Sequence, residues 1–84
     1  MDNLMPLHFL WSEVERLMEL RGIPHLKALS DLTKIHRTNL YKLSRGEIKP
    51  SFAALSKLCT ALRCLPGDLL KYVDHVGAED ETAG

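Results

Sequence analysis

The chain has 84 residues, 45% of them hydrophobic and 26% charged, with eleven basic and eleven acidic side chains and a formal net charge of zero. That length holds one small domain, and the composition is that of a globular protein rather than a disordered one. No apolar run approaches the roughly 20 residues that span a bilayer. The start, "MDNLMPLHFLW", lacks the basic segment and small-residue cleavage site of a signal peptide, so an intracellular protein is expected.

In chain order, the spacing predicts a first helix from about Leu7 to Arg21. Leu10, Val14, Leu17 and Met18 form its apolar stripe, Trp11 flanks that stripe at the edge of the core, and Gly22 ends the helix. Pro24 reads as the opening of a second short helix, where its missing N–H is harmless. Leu26, Leu29, Ser30 and Thr33 line one side of it. Lys34 and Ile35 then turn the chain into a third helix, about Arg37 to Ser44, with Leu40 and Leu43 facing inward. Arg45-Gly46 closes it, and "EIKPS" connects onward to a fourth helix, about Phe52 to Leu62. Ser51 caps this helix and Leu55, Leu58, Cys59 and Leu62 form its stripe. Pro66 starts a fifth helix that Leu69, Leu70 and Val73 carry to about Val76, before Gly77 stops it. No strand pattern is convincing. The expected organisation is a compact all-α domain of five short helices over residues 1–76, followed by an acidic, disordered tail over 77–84.

Cysteine and histidine usage argues against disulfides and metal. Cys59 falls on an apolar stripe and reads as a small core residue, and Cys64 reads as an inert thiol in a loop. The four histidines, His8, His25, His36 and His75, share no metal-ligand spacing. No cofactor is expected. An enzyme is not expected either, since there is no glycine-rich phosphate loop and no paired nucleophile and base at a telling spacing.

The neutral total conceals an asymmetry. Residues 21 to 49 hold seven basic side chains against Asp31 and Glu47, a local charge of +5, and the other 55 residues sum to −5. A localised positive face on a neutral body suits an anionic partner. The third helix concentrates it. Arg37, Thr38, Tyr41, Lys42 and Arg45 share one helical face opposite Leu40 and Leu43, with no acid in the helix. Forked donors, a hydroxyl, an aromatic tip and a flexible ammonium can reach both phosphates and base edges in a major groove. Two short helices with a tight turn between them, the second basic and exposed, make a helix-turn-helix.

The segment "ALSDLTKIHRTNLYKLSRGEIKPSFAALSKLCTALRC" resembles the core of the Cro/C1-type (Xre-like) DNA-binding proteins, and the resemblance covers about residues 10 to 74. Leu29, the turn to Ile35, Leu40 and Leu43 carry it, with "RGEIKPS" and "LSKLCTALRCLPGDLL" after them. It implies a five-helix, lambda-repressor-like domain in which helices two and three form the helix-turn-helix. The chain departs from the family pattern at Ser30, where a small Ala is usual, at Lys34, where Gly is usual, and at His36, where Ser or Thr commonly caps the third helix. A left-handed Lys34 would cost roughly 1 kcal/mol relative to Gly. The segment from Gly22 to Leu29 is one residue longer than usual, which leaves His25 or Leu26 at the family's phosphate-contacting position.

The resemblance and the helical geometry together give Arg37, Thr38 and Lys42 as the expected base-edge contacts. Tyr41 either touches a thymine methyl or a phosphate or packs on its neighbours. Arg45 and Lys49 are the leading phosphate contacts, followed by Lys34, His25 and Lys27, while Asn39 either reaches a phosphate or, the favoured reading, is a plain surface residue. Family members usually dimerise on pseudo-palindromic sites. The surface expected to serve here is Leu65, Leu70, Tyr72, Val73 and Val76, and the apolar arm of Leu4, Met5, Leu7 and Phe9 either adds to it or simply caps the core. The leading expectation is a cytoplasmic, bacterial or phage-encoded transcriptional repressor, nucleoid-associated when bound to its double-stranded operator. The alternative is an antitoxin-like or adaptor module that binds a protein partner through helix five and the N-terminal arm.

Overall fold

A computed structural model describes residues 7–72. The expectations placed on Leu4, Met5, Val73, Val76, Gly77 and the 77–84 tail lie outside those residues. The elements, in order, are β1 (Leu7–Phe9), α1 (Trp11–Arg21), α2 (Leu26–Thr33), α3 (Arg37–Ser44), α4 (Phe52–Leu62), α5 (Pro66–Leu69) and β2 (Leu70–Tyr72). The number of helices among the described residues is the anticipated five, and α3 and α4 have the expected bounds. No helix among the described residues is long and apolar enough to cross a membrane.

The core is assembled from the predicted stripes. Val14, Leu17 and Met18 of α1, Leu29 of α2, Leu40 and Leu43 of α3, and Leu55, Leu58, Cys59 and Leu62 of α4 are all buried, with Ile23, Ile35 and Leu69 closing the gaps between helices. A fully buried leucine stabilises the fold by about 1.5–3 kcal/mol relative to leaving it in water. The central leucines (Leu29, Leu40, Leu58 and Leu62) therefore fix the angle at which α3 is held out from the body. Thr33 is buried with them, and its hydroxyl is satisfied locally by the Leu29 carbonyl.

Both ends of the described chain differ from the helical expectation. The first helix begins at Trp11, not Leu7, and the fifth lasts only four residues. Leu7–Phe9 and Leu70–Tyr72 instead pair as a two-stranded antiparallel sheet, with Leu7 opposite Tyr72, His8 opposite Lys71 and Phe9 opposite Leu70. The Leu10 N–H continues the ladder to the Leu69 carbonyl at 2.8 Å. Leu10 thus sits just before α1 rather than on its stripe. The reason is visible in the alternation Leu-His-Phe and Leu-Lys-Tyr: each strand puts two apolar residues on one face and a polar one on the other. A three-residue alternation is too short to compete with a helical period unless its partner, more than 60 positions away, is known. Phe9 also meets Trp11 edge to face, with centroids 6.2 Å apart, which anchors the sheet to the start of α1.

Pro24 stands one residue ahead of the α2 cap rather than in the first turn of the helix. The cap itself is His25, whose Nδ1 accepts the Ala28 N–H at 3.2 Å. Ser51 caps α4 as expected, its Oγ accepting the Ala54 N–H. Cys64 is half-buried. Burial, with Cys59 beside it, pushes its thiol up to about 11, so it stays protonated and unreactive at neutral pH.

Candidate nucleic-acid interface

The turn between α2 and α3 sets the direction of the basic helix. Lys34 ends α2 in the left-handed region, with φ 62° and ψ 22°, where the strain expected of a non-glycine residue applies. Three hydrogen bonds hold it there. The Thr33 Oγ1 accepts the Ile35 N–H at 3.2 Å while donating to Leu29, and the Ser30 hydroxyl donates to the Ile35 carbonyl at 2.6 Å. Ser30, a departure from the family pattern, thereby fastens α2 to the turn. His36 caps α3 through Nδ1, which accepts the Thr38 N–H at 3.2 Å.

Beyond this turn, α3 carries Arg37, Thr38, Asn39 and Tyr41 exposed and Lys42 half-buried, while Leu40 and Leu43 are sealed in the core. The helix geometry gathers Arg37, Thr38, Tyr41, Lys42 and Arg45 on one face, as anticipated. Tyr41 is 48% exposed, so its ring is not consumed by packing. Ser44 is half-buried and donates to the Tyr41 carbonyl at 2.7 Å, so its hydroxyl is committed to the helix end.

The flanking cations differ in how free they are. Lys34 and Lys49 are exposed and make no ion pair among the described residues. Lys27 reaches Asp31 at 3.5 Å across one helical turn, a weak and solvent-screened pair. Arg45 is held by Glu47 at 2.7 Å. That hydrogen bond raises the Arg45 guanidinium above its ordinary value and holds the Glu47 carboxyl below the usual carboxylate range. At the start of α2, His25 is exposed and Leu26 is half-buried against the core, so His25 is the accessible member of that pair. No group of three or more metal-ligating side chains is present among the described residues.

The surface expected for dimerisation is reshaped by the sheet. Leu65 precedes α5 and is 72% exposed, while Leu70 and Tyr72 lie on β2 rather than on a helical face. Leu70 packs partly on the core, and Tyr72 is exposed beside Leu7. Phe52, the first residue of α4, is 93% exposed and was not singled out from sequence. The signal was available, because Phe52 is a large apolar residue off the Leu55–Leu58–Leu62 stripe. It borders a groove of about 290 Å³ that Leu7, Phe9, Leu55 and Leu70 also line.

Buried stripes, a pinned turn and an exposed basic helix are the parts of a helix-turn-helix domain, and the family comparison agrees. Residues 13–75 match the Cro/C1-type HTH DNA-binding domain, and the chain belongs to that family. No curated protein and no solved structure matches it significantly. The domain is of the DNA-binding kind.

Proposed function

We propose that the protein is a sequence-specific transcriptional regulator, acting as a repressor, that inserts α3 into the major groove of double-stranded DNA. The observation that carries this reading is the acid-free outer face of α3, exposed over Arg37, Thr38 and Tyr41 and oriented by a turn with three local hydrogen bonds. Arg37, Thr38, Lys42 and Tyr41 serve as base-edge contacts. Arg45, Lys49, Lys34, His25, Lys27 and Asn39 serve as phosphate contacts that set position rather than sequence. A bidentate Arg37–guanine contact would supply about 1–3 kcal/mol of discrimination.

The protein acts as a homodimer on a pseudo-palindromic operator, since one eight-residue helix reads few base pairs. The apolar residues available for the contact are Leu65 and Tyr72, joined by Phe52 and Leu7. Residues 1–76 form its single domain, and a cytoplasmic, nucleoid-bound location in a bacterial or phage context follows from the function. A second reading, a protein-interaction module, draws on the same apolar residues. It requires that Phe52 and Leu65, rather than Arg37 and Lys42, matter for activity.

Fluorescence anisotropy on a random-sequence duplex tests the primary reading, with wild type beside an Arg37→Ala, Lys42→Ala double mutant. Affinity that falls steeply with salt and weakens in the mutant supports it. Absence of binding by the folded wild type at low salt overturns it.

A further inference from the structure

Between Asp31 and Asp68 the chain has one acidic side chain, Glu47. It stands on the positive face itself. Its Oε2 accepts the Arg45 Nε–H at 2.7 Å, and both side chains are about half exposed, at 57% for Arg45 and 49% for Glu47. The pair is part of the helix ending. The Arg45 N–H donates to the Tyr41 carbonyl, Gly46 takes φ 74°, and the Glu47 N–H returns to the Lys42 carbonyl at 2.9 Å. The backbone of both residues is therefore fixed before any ligand arrives. Lys42 also attracts the carboxylate, after the dominant hydrogen bond from Arg45. Arg16–Glu13 and Lys27–Asp31, the other ion pairs of the described residues, each lie within one helix.

A carboxylate presents a guanidinium with the same acceptor geometry as the non-bridging oxygens of a phosphodiester. While Glu47 accepts from Nε, that donor is withheld from DNA, and the pair adds no net charge to the field that draws the duplex in. We propose that Glu47 is a built-in competitor for Arg45: it occupies the guanidinium in the free protein and yields it when a phosphate takes its place, lowering the sequence-independent part of DNA affinity. This rests on the reading of the α3 face as the DNA interface. The device keeps a neutral protein with a basic face from being held by bulk DNA through Arg45.

The test is a double-mutant cycle with wild type, Glu47→Gln, Arg45→Ala and the combined variant. Each is titrated against a random-sequence duplex across salt, with circular dichroism to show that all four are folded. Both positions are on the surface, so the core is untouched by either change. Glu47→Gln is expected to bind about two- to fivefold tighter at 0.15 M salt, the factor that an exposed ion pair supplies when it no longer has to be broken, with the salt slope little changed because Arg45 meets the phosphate in both proteins. With Ala at position 45, the same change is expected to give less than half that gain. An equal gain in both backgrounds overturns the proposal, because Glu47 would then act by simple repulsion of DNA. So does Glu47→Gln binding no better than a wild type that itself binds with a salt-dependent affinity. Failure of folded wild type to bind at low salt is a different result, which removes the DNA-interface reading along with the competitor.

Discussion

Four helices end in the left-handed region, and they do so in two ways. The first and third close on glycines, Gly22 and Gly46, both at φ 74°. The second and fourth close on long cations, Lys34 at φ 62° and Arg63 at φ 54°. At the glycine ends the turn itself is closed by backbone bonds, such as the Ile23 N–H to the Met18 carbonyl at 2.8 Å and the Glu47 N–H to the Lys42 carbonyl, with the Ser44 hydroxyl and the Arg45–Glu47 pair added at the second. The cation ends recruit side chains as well. Thr33 and Ser30 bind across the Lys34 turn, and the Arg21 guanidinium donates to the Leu62 carbonyl at 2.7 Å and the Arg63 carbonyl at 3.0 Å. Where a side chain costs conformational energy, neighbouring side chains bond to the backbone of the turn; where glycine removes the cost, the turn closes on backbone bonds.

The largest break in this contrast is expected at Thr33. Thr33→Val keeps the shape but leaves the buried Ile35 N–H without its acceptor, and urea unfolding is expected to report a loss of about 1–3 kcal/mol. Arg21→Ala removes both donors from the end of α4, and a loss of about 1–2 kcal/mol is expected in the same measurement. Exchanging the two styles gives smaller effects of opposite sign. A Cβ at Gly46 meets nothing within 4 Å, so Gly46→Ala is expected to cost only the backbone strain, about 1 kcal/mol. Lys34→Gly is expected to raise the melting temperature by relieving up to about 1 kcal/mol, part of it offset by the greater freedom of glycine in the unfolded chain. If Lys34 contacts phosphate, the same variant binds DNA with a shallower salt slope even as it becomes more stable.

The smallest effect concerns pH. The folded Glu47 carboxyl is depressed by the Arg45 hydrogen bond, so its contribution is present above the unfolded carboxylate pKa and is lost as pH falls through the folded one. The difference in melting temperature between wild type and Glu47→Gln is therefore expected at neutral pH and should vanish in acid. A difference of the same size at neutral pH and in acid would show that it does not come from the pair.

Much of this was legible in the sequence because helical periodicity is local. Arg37–Ser44 and Phe52–Leu62 emerged with their observed bounds because Leu40 and Leu43, and then Leu55, Leu58 and Leu62, repeat at helical spacing between clear stop and start signals. Lys34 stood out through the family resemblance, as a lysine where Gly is usual in the turn. What escaped depends on distant or very short signals. The pairing of Leu7–Phe9 with Leu70–Tyr72 joins opposite ends of the described chain, and no window of sequence contains both strands. Local patterning also gave no view of Glu47 reaching back to Arg45, because the Gly46 turn decides where that side chain points. Histidine is a weak capping residue by residue type, yet both helices of the helix-turn-helix use its Nδ1 as a cap.

The small sheet has a mechanical consequence. Because Leu7 faces Tyr72, the outer ends of both strands lie at the same end of the ladder. Tension applied through the chain on either side would load one rung at a time and peel the strands apart, rather than shearing all rungs together. Leu7 and Tyr72 would part first and Phe9 and Leu70 last, leaving the helices intact behind them. Under tension the domain would give way at its seam, and the turn that aims α3 would be among the last parts to feel the pull.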